Sequence, residues 1–549
     1  IAPGIDTVGV IKTVYLMPKP DSTYESQISG YQWSVITQPT DGAAVIDVNT
    51  PEILKFRPMV EGRYIVQLTP LDDQSAPTTP TTISLYASTY LGAVSENGPD
   101  CELCHAPVVK KWNDTGHATH LQQHMDGLLG SFYRTSCLNC HALGAFADTN
   151  GDGNFFEVAR DLNYDVNQIP DLIADAANNG HQNFQLLPEE LQVLSNIQCE
   201  SCHGPGAGHN GDKEKITGAE FDSKVCAYCH DAPTHHLKVY EWDSSAHTTA
   251  NTASSHITPE GSCAPCHIGE GFVEIRVRGK EAISSDITSN NHITCVACHD
   301  PHDATNPHQL RLITPTTLPN GKEYDSGMGN LCANCHNSRV EDPAVTFDTS
   351  YRGAHHGPQA DILLGSGAYD WGEAYPRGSA THYRVVDDSC VGCHMAEPEN
   401  EPSPVGSHTF MIYNHDTGDN TIEASCGECH EELDTLDRIP HSARDYDGNG
   451  EVEGTQTETL GLLANLREEI LNRIPEATYD EEEGLINVSG PFSSMTINQK
   501  AAVYNYNIIV NDKSLGVHNG RYGFAVLQRS YYALTGTLYS DAFGDAYLY

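Results

Sequence analysis

The chain has 549 residues, with 74 Asp plus Glu against 30 Lys plus Arg and a formal net charge of −44. That charge excludes a sequence-independent nucleic-acid binder, which needs cationic side chains against phosphate, and it repels an anionic bilayer surface. Only 38 % of residues are hydrophobic while 47 are Gly and 30 are Pro, so the chain reads as loop-rich and short of side chains for an apolar core along its whole length.

No run of about 18 or more apolar residues occurs, which predicts no membrane span. The chain opens at Ile1 without a basic segment, an apolar stretch or a small-residue cleavage site. It is therefore read as a mature protein from which any export signal has been removed.

Residues 1–95 contain neither Cys nor His, and this shift in composition predicts a domain boundary near 95/96. The runs VGVIKTVYLM, YQWSVITQP, AAVIDV, ILKFRPMV, GRYIVQLTPL and TTISLYAS are separated by Pro, Gly, Asp and Ser. Short strands at that spacing predict an all-β sandwich, with Trp33, Phe56, Tyr64 and Val66 in its core. The segment resembles immunoglobulin-like folds of the PKD or fibronectin kind, which implies a spacing, docking or subunit-contact role.

Residues 96–430 hold all 18 cysteines, and every one lies in a Cys-x-x-Cys-His pentapeptide. In chain order, motifs 1 to 3 are Cys101/Cys104/His105, Cys137/Cys140/His141 and Cys199/Cys202/His203. Motifs 4 to 6 are Cys226/Cys229/His230, Cys263/Cys266/His267 and Cys295/Cys298/His299. Motifs 7 to 9 are Cys332/Cys335/His336, Cys390/Cys393/His394 and Cys426/Cys429/His430. This is the attachment signature of c-type haem: two thiols add to the vinyl groups of one porphyrin and the adjacent His becomes the proximal iron ligand. Zinc knuckles and disulfide frameworks do not require a His after each Cys pair. Nine such motifs with no cysteine left over predict nine haem c groups, attached outside the cytoplasm. The protein is thus expected in the periplasm, at the cell surface or outside the cell. Each haem adds about −1 when oxidised and −2 when reduced if its propionates are ionised, taking the total charge to roughly −53 to −62. The porphyrin faces would supply the apolar core that the side chains lack.

Nine of the 28 His are proximal, leaving nineteen as a pool for sixth ligands. His117, His120 and His124 share one helix face in TGHATHLQQH. His209, His247, His356, His408 and His518 sit in segments similar to those carrying distal ligands in multihaem cytochromes. His236, His292, His302 and His308 complete the candidates, and the pairs His235/His236 and His355/His356 stay open. Bis-His ligation predicts low-spin haems suited to electron transfer. No catalytic residue is assigned.

Two acidic stretches, DTNGDGNFFE and DYDGNGEVEG, match the first half of a calcium-binding EF-hand loop. They offer Asp148, Asn150, Asp152 and Asn154, and Asp445, Asp447, Asn449 and Glu451. Ala159 and Gln456 stand where the bidentate Glu belongs; Glu157, Asp161, Glu453 or Glu458 would substitute only with altered geometry. Residues 431–549 carry no haem motif and predict C-terminal helices packed over the haem domain. Leu460, Leu463, Leu466, Ile470 and Ile474 form an apolar stripe, followed by helices through NQKAAVYNYNIIVND and RYGFAVLQRSYYALTG.

Over residues 96–549 the chain resembles the multihaem cytochrome c group. CESCHGPGAGH, GAHHGPQADIL, SHTFMIYN and KAAVYNYNIIVNDKSLGVHNGRYGFAVLQ are similar to the octahaem and pentahaem reductase lineage. The motif count is similar to that of the nonahaem surface terminal reductase of metal-reducing bacteria. The resemblance implies a mainly helical and looped haem body, redox partners such as other multihaem cytochromes, and external acceptors such as metal oxides or shuttles. Three readings remain open: an electron conduit or terminal reductase of broad specificity, a polymerising filament subunit, and a dedicated nitrite, hydroxylamine or sulfur-oxyanion reductase. The Cys-x-x-Cys-Lys motif of the last group is absent.

Overall fold

A computed structural model of the chain describes residues 5–18, 27–42, 44–50, 52–92, 101–144, 151–218, 222–231, 236–250, 252, 256–284, 291–347, 353–375, 378–431, 433–439, 444–490, 492–544 and 546–549. The chain divides into two units. The first comprises residues 1–240 and 294–310, and the second residues 241–293 and 311–549.

In the first unit, two sheets share one apolar core. Strands β1 (Thr7–Gly9), β7 (Thr81–Ser88), β6 (Gly62–Leu71) and β3 (Gly30–Thr37) form one sheet in that order. Strands β2 (Val14–Leu16), β5 (Ile53–Arg57) and β4 (Val45–Thr50) form the other. Alternation along the strands turns Leu54 and Phe56 of β5, and Tyr64 and Val66 of β6, into the shared core. Phe56 meets Tyr64 edge-on at 5.4 Å, and the Tyr64 hydroxyl donates to the Val60 carbonyl at 2.9 Å. Trp33 packs at the margin and is half-buried.

The run VGVIKTVYLM does not form one strand. It breaks at Ile11, whose φ of +66° is a strained value for a β-branched residue, and Ile11 N–H donates to Pro58 O at 2.7 Å. The break carries the chain from β1 in one sheet to β2 in the other.

The same unit includes motifs 1–4 and motif 6. Glu200, inside motif 3, is buried and accepts from the backbone N–H groups of Gly92 (2.7 Å), Leu91 (3.1 Å) and Gly206 (2.6 Å). These bonds tie the segment leaving β7 to the haem-binding loops. Gly204 has φ +77°, and a Cβ there would collide with the Thr7 carbonyl, so the close approach of β1 to motif 3 requires glycine. Helices α1 (Cys101–Trp112), α2 (Gly116–Met125) and α3 (Ile169–Asn179) follow. Along α2, Ala118, Leu121 and Met125 are buried, and His117, His120 and His124 each precede one of them, so the imidazoles line the flank of the core-facing stripe.

In the second unit, α4 (Thr455–Arg473), α5 (Ile497–Asn511) and α6 (Gly520–Thr535) pack on one another. A Thr496/Gln499 capping box starts α5. Leu463, Leu466, Ile470 and Ile474 are buried as the periodicity predicts, but Leu460 is 51 % exposed and Leu462 takes the inward position. In the first turn Glu458 and Thr459, rather than Leu460, face inward.

Helix α5 is buried almost all round, and its polar residues are used to hold loops. Asn505 accepts from Tyr369 N–H at 2.7 Å and donates to Tyr369 O at 2.9 Å, while Asn511 donates to Ala354 O at 3.0 Å. The C-terminal helices therefore have their own core and also clamp the backbone that follows motif 7.

Leu466→Ala is expected to cost about 2–5 kcal/mol, whereas Leu460→Ala is expected to change stability by about 0.5 kcal/mol or less; unfolding followed by circular dichroism distinguishes the two. Asp361, fully buried, accepts from Ser338 N–H (2.7 Å) and Asn320 Nδ2 (2.6 Å), and burial raises its pKa from 3.8 to about 6. Because the folded state holds this proton more tightly than the unfolded chain, the stability due to it is fully present below about pH 4 and is lost as pH rises to about 6, on the order of 3 kcal/mol. Asp361→Asn should flatten that part of the stability–pH curve.

Candidate haem-binding sites

Each motif lies on or beside a short helical turn, among them Leu138–His141, Cys199–His203, Lys224–His230, Ala264–His267 and Cys390–His394. A helical turn places residues three and four apart on one face. In these five motifs the two thiols and the following imidazole are thereby directed to one side of the backbone.

Cys104 of motif 1 and Cys429 of motif 9 are exposed, while Cys101 and Cys426 of the same motifs are half-buried. Cys298 of motif 6 is half-buried and closes the turn Cys295–Cys298. The next residue, His299, donates its N–H to Cys295 O at 2.9 Å, the same bond that His336 makes to Cys332 and His430 to Cys426.

Opposite the motif imidazoles stand others at a consistent distance. His105 faces His209 at 6.4 Å between ring centroids, His203 faces His302 at 6.2 Å, and His394 faces His518 at 6.2 Å. His336 faces His247 at 6.3 Å, and His430 faces His382 at 6.1 Å. Metal–imidazole bonds of about 2.0–2.1 Å on opposite sides of one metal separate the nitrogens by about 4 Å and the centroids by a little over 6 Å. The observed pairs match that spacing, so the residues present fit a porphyrin iron held between two His.

Two partners compete at three motifs. His230 has His117 at 6.1 Å and His236 at 6.0 Å. His267 has His355 at 6.0 Å and His356 at 6.4 Å. His141 has His124 at 5.8 Å, nearly parallel at 17°, and His120 at 4.3 Å, a gap too small for an iron between the rings. The ring nitrogens of His120, His124 and His141 lie within 4.8 Å of one another.

The remaining nitrogen of many of these rings is bonded to the backbone. Nδ1 donates to Thr217 O from His203 (3.0 Å), to Ala250 O from His267 (2.9 Å), and to Phe410 O from His394 (3.0 Å). On the opposing side, His209 donates to Asp212 O (2.9 Å) and His382 to Val517 O (3.3 Å). A carbonyl can only accept, so these rings carry their proton on Nδ1 and present Nε2 as a ligand. Burial lowers the pKa of His141 to about 3 and of His247 and His230 to about 4, with neighbouring His adding to the effect. The rings are therefore neutral, as metal ligation requires.

Thiols of different motifs also meet. In the first unit, Cys101 is within hydrogen-bonding reach of Cys199, Cys140 of Cys229, and Cys226 of Cys295. Cys202 is close enough to Cys226 and Cys229 to interact electrostatically. In the second unit, Cys266 reaches Cys335 and Cys332 reaches Cys390, while Cys393 and Cys426 interact at longer range. Motif 4 thus adjoins motifs 2, 3 and 6, and motifs 5, 7, 8 and 9 form a row.

Other candidates are placed differently. His308 offers its carbonyl to Nδ1 of His299 at 2.8 Å. His292 lies against Trp242 at 5.6 Å, and His408 lies 3.7 Å from the Glu241 carboxylate. His235 falls outside the described residues. His382 was not among the sequence candidates, although it stands in the short turn Thr381–Val385 just ahead of motif 8. Its partner belongs to motif 9, a pairing that only the folded chain reveals.

Of the acidic loops, Asp148 and Asn150 lie outside the described residues. Asp152 and Asn154 are buried and hydrogen-bonded to each other, and Oδ2 of Asp152 has no partner among the described residues. At the second loop, carboxylate oxygens of Asp445, Asp447 and Glu458 lie within 4.8 Å of one another. Asn449 donates to Asp447 and Glu453, whereas Glu451 is exposed. Glu458, fully buried, stands beside the loop where Glu451 does not.

Among the described residues no helix is long and apolar enough to cross a membrane. A family model described as a doubled CXXCH motif matches residues 289–341, which hold motifs 6 and 7. The C-type polyheme cytochrome OmcB of Geobacter sulfurreducens is 29 % identical over 161 residues, 26 % of this chain and 20 % of that protein. The multiheme cytochrome MtrA of Shewanella baltica is 28 % identical over 165 residues, 26 % of this chain and 43 % of that protein. The matched stretch spans less than half the length of either relative. A solved PKD domain from the KIAA 1837 protein matches 18 % of this chain at 15 % identity with a TM-score of 0.13, which carries no argument about the β sheets. Motifs and matches together identify a multihaem c-type cytochrome that binds haem c covalently.

Ring-plane angles give a spectroscopic expectation. His105/His209 (20°) and His203/His302 (15°) are near-parallel, whereas His336/His247 (90°) and His430/His382 (81°) are near-perpendicular. Electron paramagnetic resonance of the oxidised protein should show both rhombic and highly anisotropic low-spin signals. His382→Ala should remove intensity from the second class and add a high-spin component.

Proposed function

We propose that this cytochrome is an exported electron-transfer protein that holds nine haem c groups, most of them bis-His, and passes electrons to external acceptors such as metal oxides or soluble shuttles. The observation that carries the reading is the set of imidazole pairs near 6 Å, each beside a Cys-x-x-Cys-His turn. Haem c supplies one-electron iron chemistry when bound.

The chain's own residues do the rest. All eighteen cysteines anchor haem, Cys104, Cys298 and Cys429 included. His105, His141, His203, His230, His267, His299, His336, His394 and His430 are proximal ligands. His209, His124, His302, His247, His518 and His382 serve as distal ligands of motifs 1, 2, 3, 7, 8 and 9. His117 or His236 serves motif 4, and His355 or His356 serves motif 5. Backbone carbonyls on Nδ1 fix ring orientation, which limits reorganisation when charge changes. Contacts between thiols of different motifs support porphyrin edges lying side by side, and close edges favour tunnelling.

The sheets at residues 7–88 serve as an immunoglobulin-like spacing or docking module, and the domain division stays at 1–95, 96–430 and 431–549. Calcium held by Asp445, Asp447 and Glu458, and a second ion beside Asp152, would pin loops in a chain whose cysteines are all used by haem. The net charge of −44 favours cationic partners and positively charged mineral surfaces.

Intact-protein mass spectrometry and pyridine haemochrome assay should give nine haems per chain. The dithionite-reduced protein should be reoxidised by ferric oxide or a flavin shuttle without nitrite turnover. Fewer haems, or turnover of nitrite at the expense of mineral oxidation, would overturn the reading.

A further inference from the structure

Asp512 caps the C-terminus of α5 and is only 3 % exposed. A carboxylate there faces the partial negative charge of the last helical carbonyls, so helix stability does not account for it. Its side chain is committed elsewhere. Oδ1 accepts from Nδ1 of His518 at 2.7 Å, and Oδ2 accepts from the Ser514 hydroxyl. Ser514 Oγ in turn accepts from His518 N–H at 3.1 Å.

The loop that closes this arrangement is conformationally demanding. Lys513 and Leu515 adopt φ values of +62° and +50°. Gly516 has φ +93°, and a Cβ on it would lie 2.7 Å from Thr459 Oγ1 of α4. Left-handed backbone at two side-chain-bearing residues is unfavourable and persists where the surroundings over-determine it. Here it brings His518 back over Asp512.

Other rings paired across a motif bond neutral acceptors: the carbonyls of Thr217, Ala250, Phe410, Asp212 and Val517, the Tyr133 phenol at 3.0 Å, and the Gln359 amide at 3.4 Å. His302 is 3.5 Å from the Asp300 carboxylate, too far for a strong bond. By contrast with the rings just named, His518 donates to a carboxylate at hydrogen-bond distance.

Resting on the ligand reading above, we propose that Asp512 is a positioning residue that holds His518 as a strengthened donor and lowers the reduction potential of the motif-8 haem. A carboxylate on Nδ1–H draws the proton and raises the basicity of the ligating nitrogen. A more basic ligand and a buried negative charge both favour ferric over ferrous iron. Motif 8 lies between motifs 7 and 9 in the row of the second unit. The carboxylate therefore places a low-potential member inside the row rather than at its end.

The test is a spectroelectrochemical titration of the full holoprotein carrying Asp512→Asn, which keeps an acceptor oxygen but removes the charge. One component with the amplitude of a single haem should move to higher potential, with haem content and low-spin spectrum unchanged, and Asp512→Glu should restore most of the original curve. An unmoved curve in a fully loaded, fully low-spin Asp512→Asn protein overturns the proposal. Should that variant fail to load haem, Ser514→Ala, which frees the carboxylate from its orienting hydroxyl, should give a smaller shift in the same direction, and no shift there is equally fatal. His518→Ala separates the two layers: a new high-spin component is expected, and its absence would show that His518 is not a ligand at all.

Discussion

Two imidazoles can share one iron only when their rings stand a little over 6 Å apart with a nitrogen of each turned inward, and a chain must be folded around that requirement. The first half of each pair comes at little conformational cost, because the motif His is joined to the porphyrin's covalent anchors within one turn of chain. The second half is long-range. His209 is delivered by a glycine-rich loop, His117 and His124 by α2, His247 by a short turn, and His518 by the left-handed loop between α5 and α6. Much of the irregular backbone exists to bring these rings into register.

That requirement explains why so few apolar side chains suffice. The β sheets, the segments around α2 and α3, and the three C-terminal helices have ordinary cores. Between them the motifs sit on short turns and loops whose polar backbone groups are satisfied locally. Buried Asn505, Asn507 and Asn511 on α5 bond loop backbone, and Glu200 and Asp361 do the same within their own units. Buried polar side chains are costly unless paired, and each of these is paired with main chain. They are rigid brackets for loops that carry ligands.

What the sequence made legible divides along the same line. Cysteines, motif histidines, strand runs and the three C-terminal helices are local features, and each could be read from spacing alone. The inward Leu466 and Ile470 followed from periodicity, while the exposure of Leu460 did not, because the inward side of the first turn depends on which neighbours α4 meets. Which imidazole faces which motif is a tertiary fact. His302 follows motif 6 in the chain yet faces motif 3, and His382 precedes motif 8 yet faces motif 9. No local pattern distinguishes either from His292, which lies against Trp242 instead. The carboxylates of Asp445, Asp447 and Glu458 meet because α4, which carries Glu458, folds back over the second acidic loop.

Resonance Raman spectroscopy of the oxidised and reduced holoprotein tests the shared-iron geometry most directly, because the porphyrin marker bands report coordination number and spin state without resolving individual haems. Marker bands dominated by six-coordinate low-spin haem in both oxidation states are expected. A dominant five-coordinate high-spin population would contradict the imidazole pairing on which the fold and the proposed function both rest.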